Sequence, residues 1–129
     1  MEDESARHWG LLQSLMDALP DTVSFKDAEH RFILVNKAMA ARWNTYPEVM
    51  VGKTEFDFLS REQAQKASEN DAKVVATKAP MFNSLERVTS VDGSEQWMSV
   101  TRVPRLNRDG IVIGSLSIWR DVPDQGSKK

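Results

Sequence analysis

The chain has 129 residues, a formal net charge of −2 and no cysteine. That length is one domain with enough interior to fold without staples. The missing thiols exclude disulfides, thiolate metal sites, cysteine nucleophiles and cysteinyl cofactor adducts, and fit a reducing, cytoplasmic setting; the near-neutral charge gives no reason to expect a nucleic-acid or anionic membrane partner, and apolar runs such as Phe32 to Val35 are far too short to span a bilayer.

Met1 to Ser5 is acidic, unlike a signal peptide, and reads as a frayed end. From Ala6 to Leu19 the residues Leu11, Leu12, Leu15, Met16 and Leu19 make a helical stripe that Pro20 stops. Such a stripe needs a partner, either the outer face of a sheet or a second copy of the helix. Thr22 to Lys26 and Arg31 to Val35 read as a strand hairpin around the turn Asp27-Ala28-Glu29-His30.

Asn36 is a good N-cap for a helix from Lys37 to about Trp43. A second short helix follows at Thr45 to Met50, with Pro47 suited to its first position. Phe56, Phe58 and Leu59 are expected to anchor the next irregular segment to the core. Ser60 to Gln63 spells a capping box and opens a long helix to about Thr77. Its inward stripe is expected to be Ala64, Ala67, Asp71 and Val74 or Val75, small residues plus one acid.

Met81 to Val91 is the third strand. The last two run from Gln96 to Asp121 about a polar turn ending in Asp109-Gly110. Ser115, Ser117 and Trp119 fall on one face of the final strand, and Leu116 and Ile118 on the other. The expected organisation is an amphipathic helix over 1–20, a core over 21–122 and a polar tail over 123–129. The element order predicts an α+β fold with a five-stranded antiparallel sheet and helices on one face.

The ordered set Leu19 to Asp27, Arg31 to Asn36, Val51 to Phe58, Asp92-Gly93 before Trp97, and Gly110 with Ile113-Gly114 leading to Arg120-Asp121-Val122 resembles a PAS domain, the sensory module of bacterial signalling proteins. The resemblance covers about Leu11 to Val122. It implies strand order 2-1-5-4-3, with the long helix and its neighbours cupping the inner face, where such domains hold heme, flavin or small metabolites. It implies an N-terminal helix on or near the outer face, a homodimer, and an output domain in a longer receptor chain such as a histidine kinase or diguanylate cyclase. The exit strand usually ends in Asp-x-Thr; here Asp121-Val122 is followed by Pro123, which puts the usual junction contact in doubt.

By alternation, and by analogy with PAS strands, Met98, Val100 and Arg102 face inward on the fourth strand. Ser115, Ser117 and Trp119 do so on the fifth, and Glu86 and Val88 on the third. One reading has Arg102 hold the carboxylate of a small organic acid, because its planar fork makes two parallel hydrogen bonds. The serines would add hydroxyl contacts, Trp119 an apolar wall and Asp71 a polar contact from the long helix. The other reading has Arg102 pair with Glu86 or Asp71 and close the core, since buried charge must be paired. Adduct-forming chromophores are excluded with the cysteines. Heme is disfavoured because the long helix has no histidine; flavin held without a covalent bond is a minor alternative. No cofactor or metal is demanded by a motif, and no nucleophile–base pair points to an enzyme. Glu55 and Asp57 look like a catalytic pair, but in the family pattern they belong to a structural loop, with Asp57 a cap or turn residue. The predicted dimer or outer-face surface is Leu11, Leu12, Leu15, Met16, Leu116 and Ile118. The expected function is ligand sensing and dimerisation; a ligand-free scaffold serving only dimerisation or protein interaction is the alternative.

Overall fold

The computed structural model describes residues 3–89 and 92–122. The polar tail and the end of the third strand as expected from the sequence lie outside them. Helix α1 spans Glu4–Ala18, starting two residues before the expected Ala6, because the Asp3 carboxylate caps it by accepting from the Ala6 amide at 2.7 Å. Strands β1 (Thr22–Asp27) and β2 (Phe32–Val35) form the first hairpin, followed by α2 (Lys37–Arg42) and α3 (Pro47–Met50). A 3-10 turn at Glu55–Asp57 leads into α4 (Arg61–Thr77). Strands β3 (Met81–Thr89), β4 (Glu95–Leu106) and β5 (Val112–Asp121) complete one antiparallel sheet of order β2-β1-β5-β4-β3.

Register decides which side chains share the cup. Lys26 sits opposite Ser115, Ser24 opposite Ser117 and Thr22 opposite Trp119. Arg102 faces Ser117, Val100 faces Trp119, and Glu86 faces Met98. Because side chains alternate along a strand, these residues line one face of the sheet. Val23, Phe25, Leu116 and Ile118 line the other. At Gly114 the β1 backbone approaches so closely that a Cβ would lie 2.1 Å from the Lys26 carbonyl oxygen, so only glycine fits.

Two caps hold the helices where the cup needs them. Asn36 is fully buried; its Oδ1 accepts from the Met39 and Val23 amides, and its Nδ2 donates to the carbonyls of Met16 and Asp21. One side chain thereby caps α2, seats the start of β1 and ties down the end of α1. Ser60 caps α4 by accepting from Gln63, but the full reciprocal box forms at Thr54 and Asp57, as the capping reading of Asp57 expected. Phe58 and Leu59 pack on the core, whereas Phe56, expected beside them, is about half exposed because the 3-10 turn points it outward.

Only part of the leucine stripe is covered within the chain. Met16 is buried and Leu12 half-buried, while Leu11 and Leu15 are exposed. Leu116 and Ile118 are half-buried on the outer face. No helix among the described residues is long and apolar enough to cross a membrane.

Candidate functional site

The cup has two compartments. The first is ionic and is built from five structural elements. Lys26 on β1 donates through Nζ to Glu55 on the 3-10 turn and, at 2.5 Å, to Asp71 on α4. Arg102 on β4 donates through Nε to the other oxygen of Asp71 at 3.3 Å. Its two terminal nitrogens grip Glu86 on β3 at 2.5 and 3.0 Å. Lys26, Glu55, Asp71 and Arg102 are each at most 4% exposed. Three carboxyl groups, of Glu55, Asp71 and Glu86, thus surround two cationic side chains, Lys26 and Arg102.

Burial works against the charge on Lys26, but the adjoining Glu55 and Asp71 carboxylates reverse that and hold its pKa above the ordinary value. Burial pushes the Glu55 pKa up, and the Asp71 charge adds to the rise; Lys26 opposes both without cancelling them. For Arg102 the burial penalty is outweighed by the Glu86 fork and the further charges of Asp71 and Glu55. Serine hydroxyls close the floor of this compartment, with Ser24 and Ser117 paired at 2.8 Å and Ser115 buried beside Lys26.

The second compartment is aromatic. Trp43 stacks on Phe58 with centroids 5.4 Å apart and meets Phe32 and Trp119 edge-on at 6.0 Å each. Met39, Met50, Met98, Val88 and Val100 fill the space around them. The compartments share a wall, since the Lys26 ammonium lies 5.1 Å from the centre of the Phe32 ring.

The structure brings together the whole inward set named from the sequence: Met98, Val100, Arg102, Ser115, Ser117, Trp119, Glu86 and Asp71. Of the two readings of Arg102, the internal pairing is the one observed, and it takes both named carboxylates rather than one. The sequence reading missed Lys26 and Glu55. Lys26 follows Ser24 at the strand period and could have been read as inward. Glu55, treated there as part of a structural loop, is buried and carries charge into the cup. Neither histidine enters it: His8 is exposed on α1 and His30 lies in the β1–β2 turn.

The five-stranded order, the capped helices on the inner face and the cup they enclose define a PAS fold. The PAS fold family model matches residues 16–125, and the chain belongs to that family. Among proteins of known role it is similar to the methanogenesis regulatory histidine kinase FilI of Methanothrix harundinacea, 29% identical over 112 residues that make up 87% of this chain and 12% of FilI. Among solved structures it is similar to VqmA bound to DPO, with a TM-score of 0.76 at 22% identity over 87% of this chain and 57% of that one. The PAS domain of Bordetella pertussis BvgS has a TM-score of 0.76 at 22% identity, over 92% of this chain and 89% of that one. The chain therefore spans a small part of FilI and a little over half of VqmA.

Proposed function

We propose that the chain is a non-catalytic sensory module of a cytoplasmic signalling protein, in which the state of the cup is relayed through flanking helices in a homodimer. The observation that carries this reading is the ionic cluster. Its members come from β1, the 3-10 turn, α4, β3 and β4, so anything that disturbs one of them displaces the long helix relative to the sheet. A ligand acts by favouring one such arrangement over another. The exit is coupled as well: Asp121 at the end of β5 accepts from Gln96, which accepts from Arg42 on α2, next to Trp43 of the aromatic compartment. The similarity to a regulatory histidine kinase supports an output of that class in a longer chain.

A metabolite is preferred as ligand over flavin, and flavin over heme, which would lack a histidine in the cup. A small organic acid on Arg102 would have to displace Glu86 from both terminal nitrogens, so that ligand class is the weaker choice. The same filled fork favours a second reading, a scaffold whose cup is occupied by its own side chains and whose role is dimerisation. The exposed Leu11 and Leu15 supply the dimer surface in either case.

Native mass spectrometry of freshly purified protein, with an absorbance spectrum, separates the readings. A dimer carrying added small-molecule mass is expected for a sensor, and a visible band would identify a chromophore. A dimer with no added mass, in which no metabolite extract raises the melting temperature, selects the scaffold. A monomer that remains monomeric at high concentration rejects both.

A further inference from the structure

One face of α1 serves neither the cup nor the exposed leucines. Trp9, Gln13, Met16 and Asp17 recur at i, i+4, i+7 and i+8 and share that face, while Leu11 and Leu15 lie on the opposite side of the helix. It overlooks β2, the edge strand of the sheet, whose rim is bonded at Phe32 to Gly52 and Lys53 at 2.8 Å each. Between this face, β2 and α3 lies a cavity of about 670 Å³, lined by none of the ionic or aromatic side chains of the cup. Small-molecule sites span roughly 300–1,000 Å³. Around it Trp9, Ile33, Tyr46 and Val51 are each at least 40% exposed, a clustering of open apolar side chains that marks a binding surface. Asp17, Glu48 and Lys37 also line it. None of the three is ion-paired among the described residues, and Asp17 meets only the Lys37 backbone amide, at 3.4 Å.

We propose that this groove is a binding site separate from the cup, and that it takes a singly charged organic cation, a primary ammonium on an apolar body such as an arylalkyl amine. Two carboxylates stand against one ammonium in the lining, so a guest with one positive charge neutralises it. Trp9 and Tyr46 add aromatic faces, which attract ammonium groups, and the body of the guest covers Ile33 and Val51. An anion meets two like charges for one opposite charge. A neutral guest gains the apolar contacts and leaves the charges unmatched. Binding here also acts on α1. Asn36 fixes the last turn of that helix through the Met16 carbonyl, and a guest held between Trp9 and the sheet edge ties down the turns before it. Because Leu11 and Leu15 lie on the far side of the same helix, the groove is filled without covering them.

The test reads the Trp9 indole. The chain has four tryptophans, so a nitrogen–proton correlation spectrum of the labelled protein shows four indole resonances, assignable by single Trp→Phe variants. The probes are 2-phenylethylamine, 2-phenylethanol and 3-phenylpropionate at matched millimolar concentrations, a cation, a neutral compound and an anion on similar bodies. The expected result is that the amine shifts Trp9 and the backbone amides of β2 and α3, leaves Trp43 and Trp119 in place, and slows hydrogen exchange along α1. The alcohol and the acid bind several-fold more weakly. Asp17→Asn and Glu48→Gln, both at exposed positions, each weaken the amine roughly two- to fivefold, as loss of an exposed charge pair does, and Lys37→Met tightens it. Equal binding of the alcohol, preference for the acid, or silence of Trp9 towards all three overturns the inference. So does an amine that moves Trp43 and Trp119 instead, since it has then entered the cup. A Trp9 resonance that moves with protein concentration alone makes the groove a contact between copies of the chain and overturns it too. Each of these failures leaves the sensory reading standing, because the groove shares none of the ionic or aromatic side chains of the cup.

Discussion

Replacing Lys26 by methionine tests the ionic cluster most directly. The substitution keeps a long apolar stem and removes the one ammonium shared by Glu55 and Asp71. Arg102 still serves Asp71, but Glu55 loses its cation inside a site that is 3% exposed. Breaking a buried pair by deleting one partner typically costs about 3–5 kcal/mol, because the remaining charge is stranded. With an unfolding entropy of about 2.1 cal/mol/K per residue, that is a fall in Tm of roughly 10–20 °C for a domain of this size.

The loss also has a defined pH dependence. Glu55 already has a raised pKa when folded, so the native state binds its proton more tightly than the unfolded chain does. Such a group contributes stability below the ordinary carboxyl range and loses that contribution as pH rises through the folded value. Lys26 is the neighbour that lowers the Glu55 pKa, so its removal drives that value further up. The Lys26→Met deficit should be largest near pH 7 and shrink on acidification, as Glu55 takes up a proton. Lys26 itself has a raised pKa, so its own contribution is fully present at neutral pH and lost only in strong alkali. Thermal melts of wild type, Lys26→Met, Glu55→Gln and the double variant, at pH 5 and pH 7, give the coupling directly. The double variant should recover most of the loss. A single variant within 1 kcal/mol of wild type at pH 7, or a deficit unchanged at pH 5, would refute the account of the cluster.

Three further outcomes follow from particular contacts. Asn36→Ala orphans two amides and two carbonyls at once and should cost about 3 kcal/mol, with faster hydrogen exchange at the start of β1 and the end of α1; protection unchanged there would mean the side chain is only a cap. Gly114→Ala puts a methyl into the Lys26 carbonyl and should separate β1 from β5, read as insoluble protein or a Tm at least 10 °C lower; a soluble variant melting like wild type would show that the strands can part at little cost. Leu15→Glu should shift the sedimentation profile from dimer to monomer without lowering the Tm of the isolated domain, since the side chain is exposed within one chain; an unaltered profile removes this leucine from the interface.

The sheet was readable because its signals are local. Asp109-Gly110 marks a hairpin, and in the structure Asn107 Oδ1 accepts from the Asp109 and Ile111 amides while Gly110 takes φ +80°. Alternation placed Met98, Val100, Arg102, Ser115, Ser117 and Trp119 on one face, and register confirms each of them. Asp71 was legible as the lone acid in a small-residue stripe. Lys26 and Glu55 were harder to see, for opposite reasons. On β1 the alternation Thr22, Ser24, Lys26 reads as a polar face beside Val23 and Phe25, and a polar face ordinarily means solvent. Here both faces are buried, because the cup closes over the polar one. Glu55 lies in a 3-10 turn with no period to read, and its neighbour Phe56 is the residue that hydrophobicity alone would send inward.

That inversion at Glu55 and Phe56 follows from the charge already present in the cup. Lys26 projects from β1 between Ser115 on β5 and Phe32 on β2, and Asp71 by itself must also serve Arg102. A lone ammonium enclosed on every side needs more than one shared carboxylate to remain charged. Turning the 3-10 segment so that Glu55 points inward supplies the second carboxylate and leaves Phe56 facing solvent. The exposed phenylalanine is thus the consequence of satisfying Lys26. Lys26→Met should therefore do more than lower stability: with the stranded Glu55 no longer held by the ammonium, the 3-10 turn should open to solvent more often. Protease sensitivity or hydrogen exchange confined to 54–59 in Lys26→Met, and absent from Arg102→Met, would be the signature of that local opening. Equal protection of the turn in both variants would mean that backbone capping by Thr54 and Asp57, not charge, holds Glu55 in place.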